Sequence, residues 1–337
     1  MTIVRKLCLL LMYSLLLLPA LCYLPAQAGN VGFQRQIAPD PDGAPLEVAI
    51  WYPSQAAAAP LATGAISQTV ALDGPIAGSK LPLIVISHGT GGSYLSHYDT
   101  ALALAQAGFI VVAPSHTGDT YQDQRRSLYI LERPRHISRV LDYMLSGWQQ
   151  SAAIDPGRIG MFGFSAGGFT TLVSIGGQPD MRTIAPFCSE HASHFACQLL
   201  ARSQAAAQQP PAPGTQGAAD PRIKAAVVAA PALGFSFAQG GLDRVSVPVQ
   251  LWRAEDDTIL PAPWYAEPVR AALPHPPEYE VVAHAGHFDF LAPCSALLAA
   301  RAPEICRSAP GFDRQAFHQR FNGEVLRFFH EQLGGTQ

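Results

Sequence analysis

An α/β fold, with a mostly parallel sheet and helices on both faces, is predicted by three observations. Short apolar runs rich in β-branched residues alternate with helical stretches from about residue 30 onward. The runs are continuous rather than alternating, as in strands covered on both faces, and Leu83-Ile84-Val85-Ile86 is the clearest. Turn residues such as Asp40-Pro41-Asp42-Gly43 separate them. Strands are expected at 33–37, 46–52, 83–86, 109–113, 158–162, 223–229, 249–252 and 279–282. Helices are expected at 98–107, 135–145, 166–174 and 315–333. The last carries Phe317, Phe321, Val325, Phe328 and Phe329 on one face, the stripe of a helix packed on a core.

The composition agrees. The 337 residues are 48% hydrophobic and 14% charged, against roughly 25% charged in an average globular chain. Gly 29 and Pro 29 are too few for a collagenous or low-complexity chain. The net charge of −3 falls to −5 without Arg5 and Lys6, which leaves 20 basic residues against 25 acidic. No clustered Lys/Arg surface is written here, so nucleic acid is not an expected partner.

Residues 1–28 read as a signal peptide. Arg5 and Lys6 precede an apolar run from Leu7 to Leu18, Pro19 breaks it, and Ala26-Gln27-Ala28 supplies a cleavage pattern. The competing reading is an uncleaved anchor, since no charge falls between Lys6 and Arg35. The dense Leu run is shorter than the roughly 20 residues of a span, which favours cleavage and no stable membrane insertion afterwards. Leu21 before Cys22 stands where a lipoprotein site needs a small residue. The expected location is secreted or periplasmic.

Cys188, Cys197, Cys294 and Cys306 remain after the leader, an even number for an oxidising compartment. Sequence proximity favours Cys188–Cys197 and Cys294–Cys306, though three pairings are open. Cys188, His191, His194 and Cys197 also have the ligand types of a structural zinc site. On a straight helix the two cysteines would lie about 13.5 Å apart along the axis, so zinc and disulfide alike need a bend. Export favours the disulfide, and no metal is assigned.

One domain is expected over 29–337. Its rhythm breaks at 176–221, where no strand is evident. This segment reads as an insertion, a partial lid, whose Ala/Gln/Pro-rich part at 203–221 is expected to be a mobile loop.

The chemical signal is Gly163-Phe164-Ser165-Ala166-Gly167, set between a strand and a helix. The turn around such a serine is strained, and glycine removes clashes beside it, so Oγ projects above the sheet at a helix N-terminus. A serine hydroxyl needs a base oriented by a carboxylate, and in this architecture acid and then His follow the nucleophile. His287 lies after the last strand and is the expected base; His284 competes but suits a strand end. Glu255, Asp256 and Asp257 crowd the preceding loop. Asp257 is chosen because Ile259 and Pro261 would tuck the loop inward, with Asp256 as runner-up and Glu255 solvated. An oxyanion needs N–H donors. One is Ala166, and the other is Thr90 in the loop Ser87-His88-Gly89-Thr90-Gly91-Gly92, with Gly89 as alternative. His88, directly after its strand, suits bracing of that loop better than catalysis.

These residues resemble a known family. His88-Gly89-Thr90-Gly91-Gly92, the Gly163–Gly168 turn, Asp257 with Pro261, and Gly286-His287-Phe288-Asp289-Phe290 are similar to α/β-hydrolases of the dienelactone-hydrolase-like group. The nearest likeness is to its platelet-activating-factor-acetylhydrolase-related branch, which Ile50-Trp51-Tyr52-Pro53 and the stretch from Gly108 to His116 also resemble. The likeness spans about 30–333, except the 203–221 tract. It implies an α/β-hydrolase fold with an eight-stranded, mostly parallel sheet, a Ser165–Asp257–His287 triad, and no metal or organic cofactor. True dienelactone hydrolases use a cysteine nucleophile; serine here shifts the expectation toward carboxylic esters, short acyl groups on phospholipids included.

The leading expectation is therefore an exported serine esterase acting on small-molecule or lipid esters. A peptidase or amidase on the same triad is the second, though no separate propeller or lid domain is seen to select peptides. A non-catalytic binding protein of the same fold is the third. Acyl length, alcohol group and oligomeric state are not written in the pattern.

Overall fold

The computed structural model describes residues 29–204, 219–238 and 240–334. Residues 1–28, expected to be a leader, and most of the 203–221 tract lie outside the described residues; Ser203 and Gln204 end a helix rather than begin a loop. Among the described residues no helix is long and apolar enough to cross a membrane.

Among the described residues ten strands form one sheet. The N-terminal part is β1 (Asn30–Ala38), β2 (Leu46–Ser54), β3 (Ala59–Thr63) and β4 (Ile66–Leu72). The remainder is β5 (Leu81–Ser87), β6 (Ile110–Pro114), β7 (Ile154–Phe164), β8 (Ile223–Ala229), β9 (Val249–Ala254) and β10 (Glu278–Val282). Their order is β10-β9-β8-β7-β5-β6-β2-β1-β4-β3. The run from β10 to β6 is wholly parallel. β2 joins β6 antiparallel, and β1 pairs with β2 through a turn in which Asp40 Oδ1 accepts the Asp42 N–H.

The α/β-hydrolase fold is thus as expected, with a corrected strand count. All eight anticipated strands are present, and a hairpin of β3 and β4 extends the β1 edge to ten. β3 is exposed or half-buried along its length, carries Pro60 and has no β-branched residue before Thr63, so no strand pattern marks it. At a sheet edge the missing proline N–H costs no ladder bond.

The two sheet faces are buried by different helices. α1 (Tyr98–Gln106) packs on one, α2 (Arg133–Asp142) and α3 (Ala166–Ser174) on the other. In the 176–221 segment, α4 (Ile184–Glu190) and α5 (Phe195–Gln204) are separated by a bend. That bend brings Cys188 and Cys197 to a Cα separation of 5.3 Å, and they are disulfide-bonded. After α6 (Ala266–Ala272), α7 (Ala296–Arg301) and α8 (Pro303–Cys306) form a short excursion closed by the Cys294–Cys306 disulfide.

The chain ends in α9 (Arg314–Leu333), which joins α1 on its face; the Asp313 side chain accepts the Ala316 N–H to start it. Phe317, Phe321, Val325, Phe328 and Phe329 are all buried there. At about 1.5–3 kcal/mol per large apolar side chain, this stripe contributes on the order of 10 kcal/mol.

Candidate active site

β7 ends at Phe164 and α3 begins at Ala166, leaving Ser165 alone in the turn. Its φ of 56° and ψ of −117° are costly for a residue with a Cβ. The turn is held by Ser165 N–H donating to Ala229 O at 2.9 Å and Ala232 N–H donating to Ser165 O at 2.9 Å. The flanking glycines are steric requirements. A Cβ on Gly163 would lie 2.1 Å from Gly167 O, and one on Gly167 would lie 1.9 Å from Ser87 O.

The loops after β9 and β10 bring the other two residues to Ser165. His287 Nε2 lies 3.0 Å from Ser165 Oγ, and His287 Nδ1 lies 2.7 Å from Asp257 Oδ2. Asp257 Oδ1 accepts the N–H groups of Ile259 at 2.9 Å and Leu260 at 2.7 Å. The residue that tucks this loop inward is the buried Leu260; Ile259 and Pro261 are only half-buried. Burial raises the Asp257 pKa, but His287 and the two backbone donors outweigh it and hold the carboxyl below its ordinary value. An ionised Asp257 only accepts, so His287 carries its proton on Nδ1 and turns the Nε2 lone pair to Ser165.

The competitors sit elsewhere. The Asp256 and Glu255 side chains are 57% and 46% exposed, and both face His284, itself 79% exposed. These three bring potential metal-ligand atoms within 4.8 Å of one another on the surface. The alternative zinc set is spent, since its cysteines are bonded to each other and His194 Nδ1 lies 2.9 Å from Tyr265 Oη.

The loop after β5 passes beside the serine: a Cβ on Gly89 would lie 3.2 Å from Ser165 Cβ. Among the described residues neither the Thr90 nor the Ala166 N–H has a hydrogen-bond acceptor. His88 braces this loop, with Nδ1 2.6 Å from Gly89 O and Nε2 accepting the His116 N–H at 3.0 Å.

Sequence reasoning missed what lies behind that loop. Arg133, 2% exposed, pairs with the buried Asp119 at 2.5 Å. His116 Nε2 lies 2.8 Å from Ser87 Oγ and its Nδ1 lies 3.2 Å from His136 Nδ1. Burial, helped by the Arg133 charge, pushes His88 down to about 3 and His116 well below its ordinary value. Burial and the Arg135 charge push His136 down to about 3. A signal was present: Arg133 lies on the apolar stripe of α2 with Ile137, Val140 and Leu141. A second network sits behind His287. Asp289 Oδ2 accepts the Gly286 N–H at 2.7 Å, and its Oδ1 faces the buried Arg314.

Comparison with known proteins follows the same outline. The Dienelactone hydrolase family matches residues 69–230. That segment contains the β5 loop and Ser165 and ends before Asp257 and His287. A ferulic acid esterase from Streptomyces cinnamoneus superposes with a TM-score of 0.62 over 93% of this chain and 92% of its own, at 18% identity. No curated protein matches.

Proposed function

We propose that this chain, whose residues 69–230 match the Dienelactone hydrolase family, is a serine hydrolase of carboxylic esters. The single observation that carries the reading is the continuous path from Asp257 through His287 to Ser165 Oγ. His287 Nε2 takes the Ser165 proton as Oγ attacks the ester carbonyl. Asp257 stays ionised and stabilises the imidazolium. The N–H groups of Ala166 and Thr90 receive the oxyanion. His287 then protonates the departing alkoxide, and water activated by His287 releases the acyl group from Ser165. No cofactor enters these steps.

Serine as nucleophile and the likeness to the platelet-activating-factor-acetylhydrolase-related branch support small or short-acyl esters, on phospholipids among others. The neighbour named a ferulic acid esterase adds esters of ferulic acid to the panel worth assaying. The leader pattern and the two disulfides support an exported protein.

The test is labelling with a fluorophosphonate and peptide mapping, alongside paired ester and amide substrates. An adduct on Ser165 that disappears in His287→Ala, with ester turnover exceeding amide turnover, is the expected result. A folded protein that takes no adduct and turns over no ester would sink the reading.

A further inference from the structure

We propose that Arg133, with Asp119 and His88, is a positioning residue for the oxyanion-binding N–H groups of the β5 loop, an inference that rests on the ester-hydrolase reading above. In a trans peptide the C=O and N–H point in opposite directions, so fixing one carbonyl fixes the next N–H. The Gly89 carbonyl accepts from His88 Nδ1 at 2.6 Å, Gly92 N at 3.1 Å and Arg133 Nη2 at 3.3 Å. The His88 carbonyl accepts from Arg133 Nη1 at 2.6 Å. Both carbonyls therefore face the buried guanidinium, and the N–H groups of Thr90 and Gly89 are turned away from it.

The far end of the loop is fixed by the same pair. Asp119 Oδ2 holds Arg133 Nε at 3.1 Å and Nη2 at 2.5 Å, and its Oδ1 accepts the Gly91 N–H at 3.0 Å and the Ser127 hydroxyl at 2.7 Å. His88 has one orientation available, because Nε2 accepts the His116 N–H. Burying such an ion pair brings little net stability compared with an apolar pair of similar volume. Its geometric yield is large: one planar fork spans two consecutive carbonyls and a carboxylate, which an ammonium cannot do.

The experiment compares Arg133→Lys, and Arg133→Met combined with Asp119→Asn, with wild type in the full-length mature protein. Readouts are kcat and KM on p-nitrophenyl butyrate, inhibition by an alkylboronic acid whose tetrahedral adduct carries an oxyanion, and fluorophosphonate labelling. The expected result is a kcat lower by about tenfold to a hundredfold, somewhat less than removal of an oxyanion donor. KM stays within about threefold, and boronate inhibition weakens by the same factor as kcat, the pattern of an interaction made in the transition state alone. Folded variants with unchanged kcat and boronate inhibition overturn the proposal, as does a loss carried by KM alone. If the double variant does not fold, Arg133→Lys decides, since it keeps a charge against Asp119. A wild type without a Ser165 adduct overturns the ester-hydrolase reading and this proposal together; a labelled wild type with unaffected variants overturns this proposal alone.

Discussion

Arg314 Nε lies 2.9 Å from Asp289 Oδ1, and side-chain exposure is only 7% and 1%. The pair links two loops. Asp289 caps the Gly286 N–H beside His287, while Arg314 Nη1 donates to Ile305 O at 2.9 Å inside the loop closed by Cys294 and Cys306. His287 is therefore anchored to a covalently closed segment outside the sheet.

That anchoring predicts coupled losses. Replacing both Cys294 and Cys306 by serine should cost about 3 kcal/mol, the scale for closing a loop of this size. It should also lower kcat, because the support of His287 loosens. Thermal melts and kcat of the double variant against wild type, both without reductant so that Cys188–Cys197 stays closed, measure both; an unchanged kcat in the variant would count against the linkage.

The acid loop discriminates between neighbours. Asp257→Asn should lower kcat by about 10⁴-fold, since an amide favours the wrong histidine tautomer. Asp256→Asn, at an exposed position, should stay within about twofold of wild type, as surface changes away from a site do. Comparable effects of the two on a chromogenic ester would reverse the choice of acid.

Glycines separate close approach from mere flexibility. Gly167→Ala forces a methyl into the Ser87 carbonyl and should cost at least about 3 kcal/mol and abolish activity. Gly323, exposed within α9 with nothing within 4 Å of its would-be Cβ, should respond oppositely. Gly323→Ala should stabilise by about 1 kcal/mol through helix propensity. Urea titrations of both variants give the two signs.

Acid lability is expected from one buried histidine. Burial pushes His97, packed against Phe162 and Phe164, down to about 3. A folded pKa below the unfolded 6.5 means that the unfolded chain binds the extra proton. Stability contributed by neutral His97 is thus complete above pH 6.5 and is lost as pH falls toward 3. Each such histidine adds a slope of about 1.4 kcal/mol per pH unit in that window. His97→Leu should remove one such slope, measured as the pH dependence of the urea midpoint between 6.5 and 4. A parallel curve would exclude His97 as a contributor.

What could be read in advance depended on periodicity. Val85 and Val227 sit in buried parallel strands and announce themselves as continuous apolar runs. The neighbours of Pro60 in β3 are Ala and Leu, with no β-branched residue before Thr63, so the edge hairpin was not legible. Ser165 and His287 were legible because strand, turn and helix order fix their places. Asp257 was legible for a partly different reason than the one offered, the inward anchor being Leu260. Arg133, Asp119 and Arg314 were missed because a lone charge in a sequence reads as solvated. Only three-dimensional pairing shows which charges are buried with a partner.

The order of the sheet has a consequence for time. Ser165, Asp257 and His287 lie on loops after β7, β9 and β10; Asp257 and His287 are 30 residues apart in the chain, Ser165 and His287 122. Asp257 and His287 follow strands that pair directly, but Ser165 cannot meet them until β8 has taken its place between β7 and β9, and the β7–β8 pairing closes a long stretch of chain. Helical signal will return early during refolding from denaturant, and hydrolysis will return last. Recovered hydrolysis would in that sense be a clock for the joining of β7 to β9 through β8.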